Sequence, residues 1–588
     1  MNIIYIITIL AVYTLFMMIQ KTEKKQNVLV WLSISAILIL CYNTLICVIG
    51  TFFGMLCTLQ NLSICNIIMI AILGGIILKN KNTQKYYLKV SDLIVSILIL
   101  LLTIIIAYQQ YGFPFSIKHE ITDASTHYNY AEQFYKHSTL LYKIENNNIF
   151  DMYASDFRLP GAYTNEGILF KIFDGIVLKT ELFVWFDLFV LYLSGILSYC
   201  LLKTYVKENK KTQILAVIFS ILYMLGYQLN SMLYGYVYLS LALDIVIAFL
   251  IMMTIYDKRE ISNISALVAL SLLSFGIFFS YAYFIPIIYI SVIINIIVKS
   301  KKEQESIFSE NNLMQLISVI IIPLILGLIY FLILPAAKGI ENEISTIKTD
   351  GAIYKNYITN LLVFIPILIT GIILSIKNKS KEINLPTILF SLSILFVLIL
   401  FIGNKLEMVS EYYYFKAYYI IWMFAICNSH MILCKILQSQ NKKLKIATYS
   451  YCGVYLLLII IATLLTKNNI GINNIFYRNT ECLNKSYVLE NEEIKIIEKL
   501  PQGAKRYTFP PKERLRNKWI IALCNNPFIQ SNSRKNIEEW LTLTAEKYYV
   551  VLYRDYKTIY TNESFPKENS EKYKIIHNDE YGFILERK

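Results

Sequence analysis

Charge is what this chain lacks. Only 16% of its 588 residues are Asp, Glu, Lys or Arg, against 56% hydrophobic ones. With a mean hydropathy of +0.51, an ordinary water-soluble protein is excluded. Nucleotide machinery is absent too. No Gly-x-x-x-x-Gly-Lys-Ser/Thr loop, Gly-x-Gly-x-x-Gly or Gly-x-Ser-x-Gly occurs, so the fingerprints of phosphate cradles, dinucleotide folds and serine-hydrolase nucleophile elbows are missing. The ten cysteines form no Cys-x-x-Cys pair and no His/Cys cluster, which removes the usual zinc signatures. Eight of them, Cys41, Cys47, Cys57, Cys65, Cys200, Cys427, Cys434 and Cys452, fall in or beside apolar runs and read as small apolar fillers. Acids inside those runs are few, chiefly Asp187 and Asp244, where ion-coupled carriers usually keep more. No internal repeat is evident, which also weakens a transporter reading.

What is present is a succession of apolar runs. Those of about 18 residues or more can cross about 30 Å of hydrocarbon, and each must be helical because lipid offers backbone groups no partner. About fourteen spans are expected. They run from Ile3–Ile19, retained because it lacks a basic leader and cleavage site, to Ile446–Leu465. Two of them share Val28–Ile77 with a turn near Gln60. The net charge of +14 sits largely in short loops after the first, third, fifth, seventh, ninth, eleventh and thirteenth spans. That alternation fits the rule that Lys and Arg stay in the cytoplasm. It places Gln109 to Lys179, Asn230–Tyr236, Pro335–Tyr357, Gly403–Glu411 and the tail on the outer side. The charge is thus read as topology, not as a nucleic-acid surface. The expected fold is an α-helical polytopic membrane protein, residues 1–466 with an outward loop 109–180. Residues 467–588 form a small extracytoplasmic α/β domain, with strands at Tyr548–Tyr553, Tyr573–Ile576 and Tyr581–Leu585 and helices at Glu492–Lys499 and Ile537–Lys547. Its Cys482 and Cys524 are read either as a disulfide or as two buried thiols.

The outward loop opens with Glu120-Ile-Thr-Asp123-Ala-Ser-Thr-His127. Asp123 and His127 are four residues apart and share one face of a helix. Asp123 is read as a general base or as the helix N-cap; His127 is read as orienting that base, contacting a phosphate or helping to bind a metal, and Glu120 is a third catalytic candidate. Arg158 stands as a phosphate clamp or as the salt-bridge partner of Asp156 or Asp151. A second cluster is Glu411-Tyr-Tyr-Tyr-Phe-Lys416. Lys416 lies just inside a span, where a cation is costly unless paired, and a lipid-linked phosphate is a fitting partner. Tyr413 and Tyr414 are candidate substrate contacts or members of an interfacial aromatic belt. Tyr234, Tyr236, Tyr281 and Tyr283 crowd two short turns and are read in the same two ways, with Tyr283 kept as a binding candidate. Pro335–Tyr357, with Gly339 and Gly351, is a candidate lid.

These features resemble the GT-C superfamily of integral-membrane glycosyltransferases. The resemblance lies in many spans, an acidic motif in an outward loop (Glu120 to Asp123, with His127), surface helices around Ala124–His137 and Glu166–Leu178, and a soluble tail. The Tyr-Tyr-Tyr-Phe-Lys416 stretch is similar to the late polar cluster of its arabinofuranosyltransferase-like branch. The acidic motif here follows the fourth span rather than the first, and no adjacent acidic pair accompanies it. No cofactor is expected. A divalent metal stays open, without an acidic pair to support it. The resemblance implies a sugar carried on polyprenyl phosphate, and a cell-envelope glycan, glycolipid or protein as acceptor. It implies transfer with inversion at the cell membrane, Asp123 taking the acceptor's proton. The alternatives are a lipid-linked oligosaccharide flippase or other transporter, and an O-antigen-type polymerase or ligase.

Overall fold

The computed structural model describes residues 2–20, 26–80, 85–118, 123–140, 159–304, 306–338, 351–377, 384–438, 442–465, 474–500, 506–508, 514–524, 547–556, 559–565 and 567–588. Among them ten helices are long and apolar enough to cross a membrane, and the chain is a multi-pass membrane protein. The other expected spans fall on the shorter apolar helices Asn2–Met17 and Leu362–Ile376, on the second half of the 41-residue segment Asn263–Glu303, and on Lys442–Leu465. The turn expected near Gln60 lies earlier, at Phe53–Thr58. Gly54 takes a positive φ there, and Gln60 already belongs to the next helix, Leu59–Asn80.

Three helices carry most of the bundle's interior, Tyr418–Gln438 among them. Val237–Asp257 is buried along nearly its whole length, as is Lys179–Thr204, and a helix that is apolar all round belongs inside. Outer helices such as Leu59–Asn80 and Leu385–Lys405 keep exposed Ile and Leu on one side, the surface that lipid covers.

One apolar helix is interrupted. Lys210–Tyr223 runs into a π-helical turn, Met224–Gln228, in which Gly226 leaves helical geometry (φ −84°, ψ −108°). A short helix, Leu229–Leu233, follows. The kink brings the backbone against Trp422, where a Cβ on Gly226 would lie 3.3 Å from the indole.

Beyond the bundle's end lie the surface helix Ala124–His137 and a second helix, Gly161–Ile172. The second starts and ends about five residues earlier than expected, since Pro160 stands at its N-cap. Both helices are largely buried. Tyr128 packs on Phe170, Phe183 and Trp519 at 5.7–5.9 Å between ring centroids. Asn165 is a strut, bonded to Asn43 and the Leu40 carbonyl.

The tail is fastened to this end. Strand Ile117–Lys118 pairs antiparallel with Tyr487–Leu489. A four-stranded sheet follows, in the order Arg506–Thr508, Tyr548–Leu552, Gly582–Arg587, Tyr573–Asn578, with its first pair parallel and the others antiparallel. Three of these strands coincide with the expected runs. The helix expected at Ile537–Lys547 lies outside the described residues apart from Lys547. Buried Arg516 ties the tail together through Glu493 (2.7 and 2.9 Å) and Asp555 (2.8 and 2.9 Å). Cys482 is buried, and the side chain of Cys524 lies outside what is described.

Candidate functional site

Asp123 stands at the N-cap position of the surface helix, but its side chain caps nothing. Its Oδ2 instead accepts a hydrogen bond from the Tyr412 hydroxyl at 2.9 Å. The residues are 289 positions apart, so the tertiary fold makes this contact. Asp123 is half-buried. Oδ1 has no hydrogen-bond partner among the described residues.

Behind Tyr412 lies Lys416, one helical turn on and only 1% exposed. Its ammonium donates to the hydroxyls of Tyr412 and Tyr238. It also lies 3.8 Å from the Tyr412 ring centroid, 4.0 Å from Tyr236, 5.0 Å from Tyr238 and 5.9 Å from Tyr413. Ring faces attract a cation, by about 2 kcal/mol or more when water is excluded. A buried ammonium without such company would be too costly to keep charged. Tyr412 therefore accepts from a cation and donates to a carboxylate. Each bond polarises the next, which strengthens the hold on Asp123.

The cage is built from three places. Tyr412, Tyr413 and Lys416 come from helix Glu411–Lys416; Tyr236 and Tyr238 come from the turn into Val237–Asp257. The strap 351–356 closes it. The Tyr236 hydroxyl donates to the Ala352 carbonyl, and Lys355 pairs with Glu411. Burial, then the Asp123 carboxylate, holds the Tyr236 phenol well above its ordinary range, so it keeps its proton and donates. A Cβ on Gly351 would come within 2.6 Å of the Tyr412 ring, and Gly351 is the residue that allows the strap this close. Gly235, at φ +76°, presses so near the surface helix that a Cβ would meet the Ala124 nitrogen at 2.4 Å. A positive φ favours glycine, so that turn fixes where Asp123 stands.

The expected residues divide. Asp123, His127, Lys416, Tyr413 and Tyr283 come together. The His127 ring lies 4.7 Å from Tyr238. Tyr413 meets Tyr283 at 5.6 Å, and Tyr283 leads on to Phe396. Tyr414 turns away: its hydroxyl meets Tyr418 at 2.6 Å and its ring meets Phe401. Helical geometry separates it from the Tyr412–Lys416 face, since only positions three or four apart are neighbours. Glu120 and Arg158 lie outside the described residues, as does 339–350 of the candidate lid. Glu166 is fully buried, and burial, then Asp187, pushes its carboxyl well above the usual range, leaving it unsuited to act as a carboxylate base. Tyr234, Tyr236, Tyr281 and Tyr412 are buried and pack on other tyrosines, Tyr234 on Tyr236, Tyr236 on Tyr412 and Tyr281 on Tyr238 and Tyr283, which is not the arrangement of a lipid-facing belt.

Two contributors escaped the sequence reading. Tyr238 is one apolar-looking residue inside a span. Tyr412 belongs to the Glu411–Lys416 cluster, and its i,i+4 spacing to Lys416 is the signal that marks it out. Among the described residues no group of three His, Cys, Asp or Glu is placed to hold a metal ion.

No family model matches the chain, and no curated protein matches it. Among solved structures it is similar to ArnT from Cupriavidus metallidurans bound to undecaprenyl phosphate, at 8% identity and a TM-score of 0.43, covering 84% of this chain and 98% of that one. It is also similar to the Archaeoglobus fulgidus oligosaccharyltransferase in its apo form, at 12% identity and a TM-score of 0.42, covering 79% of this chain and 70% of that one.

Proposed function

We propose that this protein is a membrane glycosyltransferase. It moves a sugar from a polyprenyl-phosphate donor to a hydroxyl of a cell-envelope acceptor, at the outer face of the membrane. The observation that carries this reading is the carboxylate of Asp123, one oxygen held by Tyr412 against a buried ammonium, the other without a partner among the described residues. A base needs a fixed orientation and a free lone pair within reach of the proton it takes; Asp123 has both. The site sits where a surface helix meets a bundle of apolar helices, so a lipid-borne substrate reaches it from the bilayer. The basic loops at the opposite end favour the outer face for Asp123 and for the tail.

In the proposed step Asp123 takes the acceptor hydroxyl's proton. The acceptor oxygen forms a bond to the anomeric carbon as the bond from that carbon to the phosphate oxygen breaks. The electron pair leaves with polyprenyl phosphate, and the configuration inverts. His127 flanks the acceptor side, and Tyr413 and Tyr283 offer ring faces to the sugar. Lys416 supports Asp123 through Tyr412; its Tyr cage leaves it poorly placed to meet the phosphate itself, the role the sequence suggested.

The test is transfer in lipid nanodiscs from a panel of radiolabelled polyprenyl-phosphate sugars to envelope fractions, with wild type beside Asp123→Asn. Transfer by wild type and its loss in a folded Asp123→Asn is the expected result. Lipid movement across vesicles without transfer from any donor would replace this reading with a flippase.

A further inference from the structure

The tail reaches the tyrosine cage through the short helix Ile475–Leu483. Its Asn479, 2% exposed, reaches into the break of the interrupted helix. The amide nitrogen donates to the Leu225 carbonyl at 2.8 Å and the Gly226 carbonyl at 2.9 Å. Its oxygen accepts from Asn230 at 2.8 Å. Asn230 in turn accepts from the Tyr419 hydroxyl at 2.7 Å, and Tyr419 lies three residues beyond Lys416. The neighbouring Arg478 donates to the Tyr234 hydroxyl at 2.9 Å. Tyr234 stacks on Tyr236, at 6.0 Å and 28°, and Tyr236 covers the Lys416 ammonium.

Two consecutive residues of the tail thus grip both walls of the cage. One wall is the turn Tyr234–Tyr238, which follows the break. The other is the helix that continues from Lys416 through Tyr419. A kink places main-chain carbonyls where the regular ladder no longer serves them, and unsatisfied buried groups cost about 1–3 kcal/mol each. Asn479 supplies the donors, so the kink has one stable shape only with the tail seated.

We propose that Asn479 is a positioning residue for the transfer reaction, and that the tail is an integral part of the catalytic unit rather than an appended module. It acts through the break, Asn230 and the tyrosine cage on the Tyr412–Asp123 hydrogen bond. This rests on the proposed function for its kinetic readout and on the structure alone for its physical one.

The experiment compares Asn479→Ala, Asn479→Asp and Asn491→Ala in the full-length protein. Asn491 is a tail contact elsewhere, donating to the Phe115 carbonyl at 2.9 Å. Hydrogen exchange is read over 229–238 and 411–416, and transfer over pH. Asn479→Ala is expected to speed exchange in both segments and to lower kcat roughly 10²-fold, the effect of misplacing a reacting group by about 1 Å. A weakened hydrogen bond to a carboxylate raises its pKa, so the acid limb of the kcat profile should move to higher pH. Asn479→Asp keeps the size but turns the donors into acceptors, and should do no better. Asn491→Ala should leave both segments and the acid limb as in wild type. Faster exchange confined to 475–483, or an unmoved acid limb with kcat intact, would overturn the proposal. If wild type transfers no sugar, the proposed function fails, and exchange still decides whether the tail braces the cage.

Discussion

Asp92 and Asp123 each stand with a tyrosine and a lysine, at opposite ends of the bundle, and the wiring differs. Asp92 is fully buried and takes Lys203 directly at 2.6 Å, with the Tyr199 hydroxyl at 2.8 Å on the same oxygen and Asn27 at 2.6 Å on the other. Both oxygens are occupied. Among the described residues Asp123 meets its lysine through Tyr412, is half-buried, and has one oxygen without a partner. The same three residue types make a strut in one place and a candidate base in the other. What separates them is whether the cation touches the carboxylate or stands one hydroxyl behind it.

The largest effect comes from exchanging the two acids. Asp123→Asn should remove the base and lower kcat by about 10²–10⁴, with thermal unfolding nearly unchanged. Asp92→Ala should do the opposite. It leaves Lys203 with only the more exposed Glu208 among the described acids, at 3.2 Å, and Tyr199 and Asn27 without their acceptor; it is expected to cost about 1–3 kcal/mol of stability, seen as a lowered Tm, while the folded fraction keeps its activity.

The intermediate lysines sharpen the contrast. Lys416→Met should leave Tyr412 a weaker donor and lower kcat about tenfold, the equivalent of about 1.4 kcal/mol in the barrier. Tyr412→Phe should do at least as much, because it removes the link itself. Steady-state kinetics in nanodiscs reads both. Equal loss from Lys203→Met, per folded molecule, would erase the distinction.

A smaller effect is expected at Gly235. Alanine there must hold φ near +76° and meets the Ala124 backbone. The left-handed region alone costs about 1–2 kcal/mol, read as a lower Tm. Activity should fall with it, because the displaced helix carries Asp123.

The smallest is a pH dependence. Lys171 bonds the Cys57 carbonyl and the Ser138 hydroxyl at the far end of the surface helix. Burial lowers its pKa to about 8, below the value of about 10.4 expected unfolded. Between those values the unfolded chain binds more protons than the folded one, so this group makes stability rise with pH there. Lys171→Met should flatten that slope in unfolding measured from pH 8 to 10.

Much of the scaffold was legible because lipid permits so few solutions: apolar runs became helices, and Asp123, Lys416 and His127 stood out as polar groups beside them. The surface helix matched its expected bounds of Ala124–His137. What could not be read depends on contacts between distant positions. Asn479 meets Leu225 and Gly226 across some 250 residues, and nothing in Asn-Thr-Glu-Cys marks it. Tyr238 looks like any aromatic in a span. The Gly226 kink has no proline to announce it. Asp92 sits at the start of an apolar run and drew no notice, because its partners come from two other helices.

The most direct test is radiolabelled sugar transfer from polyprenyl phosphate by wild type, Asp123→Asn and Asp92→Asn, each confirmed folded by its elution and Tm. The account predicts transfer by wild type and Asp92→Asn, and none above background by Asp123→Asn. Wild-type transfer rates in Asp123→Asn would contradict it.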